Sequence, residues 1–339
     1  MSTKQKLCLV VMGLAVSVLM SNFLLQKQKA LDFVDNNIRK RAYTTTRKTA
    51  LQSIVNKEMQ QNKSAMFIDR AKMIGNKTKE GIVAVTMVNE AYLEMTYSWL
   101  CNTVNMHVHE QVLIVATDET TLGKLQHDWP NVTSVLHSLS TTKVEYREAG
   151  YIRYMLTRAL LVLSILENNV TILLFEVDAI WFSSPFPLLQ SLLKYDIVGA
   201  QISKYHQIAG GFLLLKPAKA TQIVFTKVID KLNGFLETYS NVKDDKKLPD
   251  GENDQTYLHE AIMSQQNLKY KLLDFNIIED GLWYSRSHND STETRPLVLN
   301  NNWVIGNDAK VERAKKFGHW FLHGNNSCDF ENVQKMTRD

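Results

Sequence analysis

An apolar run, Thr171-Ile172-Leu173-Leu174-Phe175, leads straight into Glu176-Val177-Asp178, and this junction constrains the fold more than any other stretch. A short run rich in large apolar residues reads as a strand buried on both faces, and such strands belong to parallel sheets covered by helices. In open α/β sheets, ligands gather at the carboxyl ends of the strands. Side chains two residues apart on a strand share a face, so Glu176 and Asp178 are expected to project together at that end. Two carboxylates on one face repel unless a cation lies between them, and oxygen ligands suit Mg²⁺ or Mn²⁺. A metal held there would in turn hold a diphosphate. A bare Glu-x-Asp is more often a solvated acidic turn, so its surroundings decide.

Those surroundings alternate. Strands are expected at Gly81–Val88, Gln111–Thr117, Asp196–Gln201 and Gly211–Lys216, the last stopped by Pro217. Helices are expected at Ala91–Asn105, Arg147–Asn168 and Ala218–Leu232. The long helix offers Tyr151, Tyr154, Met155, Leu160, Leu163 and Leu166 for an apolar side. Alternating strands and helices predict an α/β fold with a mostly parallel sheet flanked by helices, in a single domain over 80–335. The polar stretch Tyr239–Gly251 reads as a mobile surface loop.

The amino terminus differs in kind. Leu7–Leu25 carries no charge and is near the roughly 20 residues that a membrane-spanning helix needs. It outruns the core of a cleaved signal, so it reads as a signal-anchor, with 1–6 as a cytoplasmic tail. The basic residues after it, from Lys27 and Lys29 to Arg39, Lys40 and Arg41, taken alone favour the opposite topology, but long domains translocate regardless of such bias. Sequons at Asn62, Asn76, Asn131, Asn169, Asn289 and Asn325 favour a luminal domain. Residues 26–79 read as a stem, with possible helices at Asp32–Arg41 and Gln52–Lys72. The formal charge of +4 comes from this stem, and the folded part is mildly acidic, which argues against a nucleic-acid partner. Three cysteines are too few for a disulfide scaffold, and Cys8 lies in the apolar segment. Cys101 and Cys328 are the two luminal cysteines; sequence leaves open whether they form a bridge.

Four further segments follow in order. Arg158 lies on the helix before the Glu-x-Asp strand, and its planar cation suits a phosphate or a carboxylate. Ala209-Gly210-Gly211-Phe212 opens a strand, where Gly210 and Gly211 let a ligand approach the backbone or merely permit a turn. Asn253-Asp254-Gln255 starts a helix, either as an N-cap or with Asp254 and Gln255 facing a sugar. Asn300-Asn301-Asn302-Trp303 leads to Gly306 and Lys310, which read as a diphosphate cradle or as a polar loop before an exposed helix.

Together with Tyr92, Trp99-Leu100-Cys101, Tyr154 and Gly318-His319-Trp320, these stretches resemble the nucleotide-diphospho-sugar transferase domain family, which includes plant Golgi xylosyl- and arabinosyltransferases. The likeness spans about 80–322. It implies a GT-A, Rossmann-like fold, a Mn²⁺- or Mg²⁺-dependent site and retention of anomeric configuration. It implies a nucleotide-sugar donor, a UDP-sugar by this likeness, and a glycan or glycoprotein acceptor. By the same likeness the chain is a single-pass type II Golgi membrane protein with a luminal catalytic domain. Asp178 would be the direct metal ligand, and Glu176 would touch the ribose or a metal-bound water. Lys310 would hold the diphosphate, and Asp254 and Gln255 would act at the transferred sugar. Two positions depart from the family. Glu176 stands where Asp is usual, a mild change. Asn300 stands where a metal-binding His is common, and an amide oxygen is a weaker ligand than imidazole. His319 and His323 are the substitutes that the sequence offers. The alternative reading is a binding protein that keeps the fold without turnover.

Overall fold

The computed structural model describes residues 66–139, 145–202, 207–249, 251–286 and 295–337. The Leu7–Leu25 segment, and the sequons at Asn62 and Asn289, lie outside these residues. A compact unit runs from Lys63 to Asp339. It takes in a helix over 66–77 (α1), within the stretch that the sequence reading gives to the stem. Phe67, Ala71 and Ile74 recur at helical spacing and are buried in the same core as Val83 and Val170.

The first four strands are β1 (Ile82–Val88), β2 (Val112–Ala116), β3 (Thr133–Leu136) and β4 (Thr171–Phe175). They lie parallel in the order β3-β2-β1-β4. Between them come α2 (Leu93–Thr103), α3 (Glu119–Asp128) and α4 (Ala149–Glu167). The two-residue period of the strands sends Ile82, Ala84, Leu173 and Phe175 into one core and Val83, Val85, Ile172 and Leu174 into the other. Both faces are therefore apolar, as the unbroken hydrophobic runs predict. α4 has the length and apolar character of a membrane span, yet it is built into the core; its Leu160, expected on the apolar side, is exposed.

The sheet continues through β7 (Gln207–Leu215), β6 (Ile197–Ile202) and β8 (Tyr270–Leu272). β7 runs antiparallel to both β4 and β6. Gly210 and Gly211 thus lie inside a strand, where the sequence reading has them open one. Phe212 pairs with Phe175, which sets Gly211 beside Glu176. After β4 the chain turns, with Ala179 N–H donating to the Glu176 carbonyl at 3.2 Å. Glu176 and Asp178 therefore sit on a turn rather than at alternate strand positions, which corrects the geometric premise for their pairing. β5 (Ile180–Trp181) follows and joins β10 (Val298–Leu299) and β9 (Ile278–Glu279) in a second, small sheet. The remaining helices are α5 (Phe186–Ser191), α6 (Lys219–Thr238), α7 (Asp254–Met263), α8 (Asn307–Lys316) and α9 (Phe330–Met336).

Residues 239–248 are pinned, not loose. The first amides of a helix lack intrahelical acceptors. Those of α4 find them here: Ala149 N–H donates to Lys246 O and Gly150 N–H to Asp244 O, each at 2.9 Å. Leu248 N–H donates back to Arg147 O at 2.8 Å, and Arg153 pairs with Asp244.

Cys101 on α2 is bridged to Cys328, with Cα atoms 5.4 Å apart across a sequence separation of 227. The next residue, Asn102, clamps β5: its side chain donates to Trp181 O at 3.0 Å and accepts from Trp181 N–H at 2.9 Å. The bridge thus steadies the strand that follows the acidic turn. Replacing both cysteines by serine is expected to destabilise the domain by about 2–5 kcal/mol, read as a shift in the urea midpoint. A midpoint unmoved by reductant and by the double substitution would contradict this.

Candidate active site

Arg158 projects from α4 towards two carboxylates. Its Nη1 donates to Glu176 Oε1 at 3.0 Å and its Nη2 to Asp254 Oδ2 at 2.5 Å. The Arg158 and Asp254 side chains are 12% and 14% exposed, while Glu176 is 41% exposed. Burial works against the Arg158 charge, but Asp254 and Glu176 outweigh it and hold the guanidinium above its ordinary range. Asp254 is available because Asn253 takes the cap, accepting from Thr256 N–H at 2.9 Å. Gln255 reaches across to accept from Gly210 N–H at 3.2 Å. A Cβ on Gly210 would meet Arg158, Asp254 and Gln255 at 3.6–3.9 Å, so the glycine brings bare backbone up to all three.

Lys310 sits on the first turn of α8, after Gly306, whose φ of 93° suits glycine. Its ammonium donates to Asp178 Oδ2 at 2.5 Å, within a pair whose side chains are 15% and 3% exposed. Burial opposes the charge on Lys310, yet Asp178 more than compensates and holds it above the usual lysine range. The asparagines explain the fixed position of α8. Asn301 donates to Lys310 O at 2.9 Å and accepts from Arg313 Nε at 2.8 Å, while Arg313 Nη2 donates to Asn302 O at 2.5 Å.

Asn300 is buried at the end of β10, with its N–H on Glu279 O at 2.8 Å. A Cβ on Gly211 would lie 2.8 Å from Glu176 Oε2 and 3.2 Å from Asn300 Nδ2, so a larger residue would have to displace the Glu176 carboxylate. The protein packed around Glu176, although its side chain keeps 41% exposure, and the Asp178 charge together raise the Glu176 carboxyl above the ordinary carboxylate range. Arg158, Glu176, Gly210, Gly211, Asp254 and Gln255 are thus joined by direct contacts, with Asn300 at the Gly211 edge. Lys310 and Asp178 form the neighbouring pole, and Gly306 shapes its helix start.

The donor set suits a hard cation. Asp178 Oδ1 and Asn300 Oδ1 are buried oxygens without a hydrogen-bond partner. Among the described residues no three His, Cys, Asp or Glu side chains converge as a cage. Mg²⁺-like ions need none: one or two carboxylates plus substrate phosphates and waters suffice. His319 is buried, with its Nδ1 2.9 Å from the Tyr284 hydroxyl and its ring beside Phe182 and Trp283. His323 is exposed.

Sequence reasoning gives several neighbours no role at the site. Tyr151 and Tyr154 share a helical face with Arg158, at spacings of three and four residues, which is the signal that marks them. Burial raises both hydroxyls above the usual tyrosine range, and for Tyr151 the nearby Asp254 adds to it. Tyr154 donates to Met87 O at 2.6 Å. Burial likewise raises Tyr92, which stands in the field of Lys310, Asp178 and Glu176. Asn89, just past β1, buries an Oδ1 without a partner.

The family profile described as nucleotide-diphospho-sugar transferase matches residues 107–314, more than half of the chain. A UDP-D-xylose:L-fucose alpha-1,3-D-xylosyltransferase of Arabidopsis thaliana is 23% identical over 265 residues, 72% of this chain and 71% of the relative. A beta-arabinofuranosyltransferase of the same plant is 24% identical over 266 residues, 71% of this chain and 48% of the relative. Among solved structures, the glycosyltransferase GlyE of Streptococcus pneumoniae TIGR4 covers 68% of this chain and 60% of its own at 15% identity, with a TM-score of 0.43.

Proposed function

This chain belongs to the nucleotide-diphospho-sugar transferase family, and we propose that it moves a sugar from a UDP-sugar to a glycan or glycoprotein acceptor, at a metal-assisted, retaining, GT-A-type site facing the Golgi lumen. The observation that carries this reading is a pair of adjacent ion clusters around a glycine cradle. Arg158 holds Glu176 and Asp254, while Lys310 holds Asp178.

Each residue has a task in transfer. Asp178 and Glu176, with the Asn300 amide oxygen, would hold Mn²⁺ or Mg²⁺, which supplies Lewis-acid stabilisation of charge on the departing diphosphate. Lys310 is a point charge on a mobile stem, suited to following that charge from Asp178 to phosphate. Gly211 and Gly210 keep the floor free of side chains so that the donor sugar reaches Asp254 and Gln255. Arg158 holds Asp254 in place. The Gln255 carbonyl, oriented by Gly210 N–H, is the neutral neighbour for the anomeric carbon.

Luminal placement has its own support. The disulfide belongs to an oxidising compartment. Asn76, Asn131, Asn169 and Asn325, the sequon asparagines among the described residues, are all exposed. The Leu7–Leu25 run supplies the anchor.

A second reading, a sugar- or nucleotide-binding protein without turnover, is favoured by Asn300 in place of the His common in the family. Release of sugar and UDP from UDP-xylose by the purified protein, with and without Mn²⁺, separates the two. Mn²⁺-dependent hydrolysis supports the enzyme; binding without hydrolysis under any metal supports the alternative. Asn300→His is expected to tighten Mn²⁺ about tenfold, since imidazole is the better donor. An unchanged titration in a folded variant would place Asn300 away from the metal.

A further inference from the structure

A transferase needs a second subsite beside the donor sugar, and the described residues hold one aromatic ring wired to the Asp254–Gln255 pole yet open to solvent. Tyr146 is 37% exposed. Its ring meets the Tyr151 ring edge-on, with centroids 5.5 Å apart and planes at 71°. Its hydroxyl accepts from Asn253 Nδ2 at 3.3 Å. Asn253 caps α7, one residue before Asp254, and Tyr151 lies in the field of Asp254, Arg158 and Glu176. Tyr146 is therefore coupled on two sides to side chains of the transfer pole.

The backbone beside it is anchored. Arg147, the next residue, adopts φ +72°, an uncommon conformation away from glycine. That backbone is fixed by the guanidinium, whose Nε and Nη2 both donate to Leu248 O, at 3.2 and 3.0 Å. Leu248 N–H returns a bond to Arg147 O at 2.8 Å. A ring carried on an anchored backbone, and held by Asn253 and Tyr151, loses less entropy when a ligand docks.

We propose that Tyr146 is the platform for the sugar ring of the acceptor. The inference rests on the transferase reading above. A pyranose has a C–H face and a rim of hydroxyls. The Tyr146 face suits the first, while the adjoining Asn253 and Asp254 offer polar partners to the second. Docked there, the acceptor presents a hydroxyl towards Asp254 and Gln255, beside which the donor sugar lies. Trp303, 40% exposed, is the competing aromatic; its indole N–H is tied to Asp280 at 2.9 Å, on the loop after Asn300.

The test uses the full-length protein in detergent with UDP-xylose. The acceptor probes are the methyl glycosides of L-fucose, L-arabinose, D-galactose and D-xylose. Transfer and donor hydrolysis are measured side by side. Tyr146→Ala is expected to raise the KM of the best acceptor about tenfold, with a far smaller effect on donor KM and hydrolysis. Tyr146→Gln, which keeps a polar group but no ring, is expected to match it. Tyr146→Phe, which keeps the ring, is expected to restore most of the loss. An unchanged acceptor KM in Tyr146→Ala or Tyr146→Gln overturns the proposal. So does an equal fall in donor hydrolysis, which would put Tyr146 on the donor, or an acceptor loss that follows Trp303→Ala instead. Donor hydrolysis without transfer to any probe overturns the platform alone, whereas no donor binding in the wild type removes the transferase reading with it.

Discussion

Arg158→Leu is expected to lower stability by about 3 kcal/mol and to abolish donor binding. Removing one partner of a buried ion pair leaves the other charge without compensation, and such losses reach roughly 3–5 kcal/mol. Asp254 is the carboxylate that suffers, because its side chain is only 14% exposed. Glu176 contributes less, since at 41% exposure water screens it. That sets the figure at the lower end of the range. Arg158→Lys should recover only part of the loss. An ammonium is a point charge, whereas the guanidinium spans both carboxylates with separate N–H groups. Urea unfolding gives the stability term, and calorimetric titration with UDP-xylose gives the binding term. If Arg158→Leu keeps its midpoint, water must already reach Asp254, and the pair is a surface contact in energetic terms. If it folds with unchanged donor affinity, the cluster is structural and the donor sugar lies elsewhere.

What the sequence disclosed and what it concealed follow from the range of the interactions. β4 and its acidic end were legible because strand burial is written in consecutive residues. The start of α7 at Asp254 was legible because capping is local, although only the structure distinguishes Asn253 as the cap from Asp254 as the partner of Arg158. The reversal of β7 was not legible. Gly210 and Gly211 look alike on a parallel or antiparallel strand, and direction depends on pairing with β4, some forty residues earlier. The turn at Glu176 was missed for a related reason: one hydrogen bond from Ala179 ends the strand, and nothing in Glu-Val-Asp announces it. The pinning of residues 239–248 was hidden in the unsatisfied amides of a distant helix, so a charged, polar stretch read as loose. Tyr151 and Tyr154 were seen but assigned to packing, because spacing alone does not reveal that their face also carries Arg158. The Lys310–Asp178 pair joins residues 132 apart, and sequence reasoning assigns each a separate partner, phosphate and metal.

That pair makes Asp178→Asn the other large expected effect. The substitution keeps shape and removes charge. It deprives Lys310 of its counter-ion, but Lys310 has a flexible stem and, unlike Arg158, can swing its ammonium towards water. The stability loss is therefore expected to stay below about 2 kcal/mol, less than for Arg158→Leu. Donor binding should fall much further. With Asp178 neutral, the carboxylate proposed as the direct metal ligand is gone, and Mn²⁺-dependent affinity for UDP should drop at least a hundredfold, about 3 kcal/mol. Uridine, which carries no diphosphate, should bind the variant nearly as it binds the wild type. Lys310→Met should repeat the preference, hurting UDP more than uridine, but without abolishing the response to Mn²⁺. The double variant separates the two roles. Replacing both members of a buried ion pair by neutral groups can be nearly neutral for stability, so Asp178→Asn with Lys310→Met should regain stability relative to Asp178→Asn alone while donor affinity stays lost. Titrations of UDP and uridine with and without Mn²⁺, on all three variants, measure each term. Mn²⁺-dependent UDP binding by Asp178→Asn within a factor of about three of the wild type would refute Asp178 as the metal ligand. Asp178 would then be the anchor of α8 through Lys310, and the partnerless oxygen it buries would need another explanation.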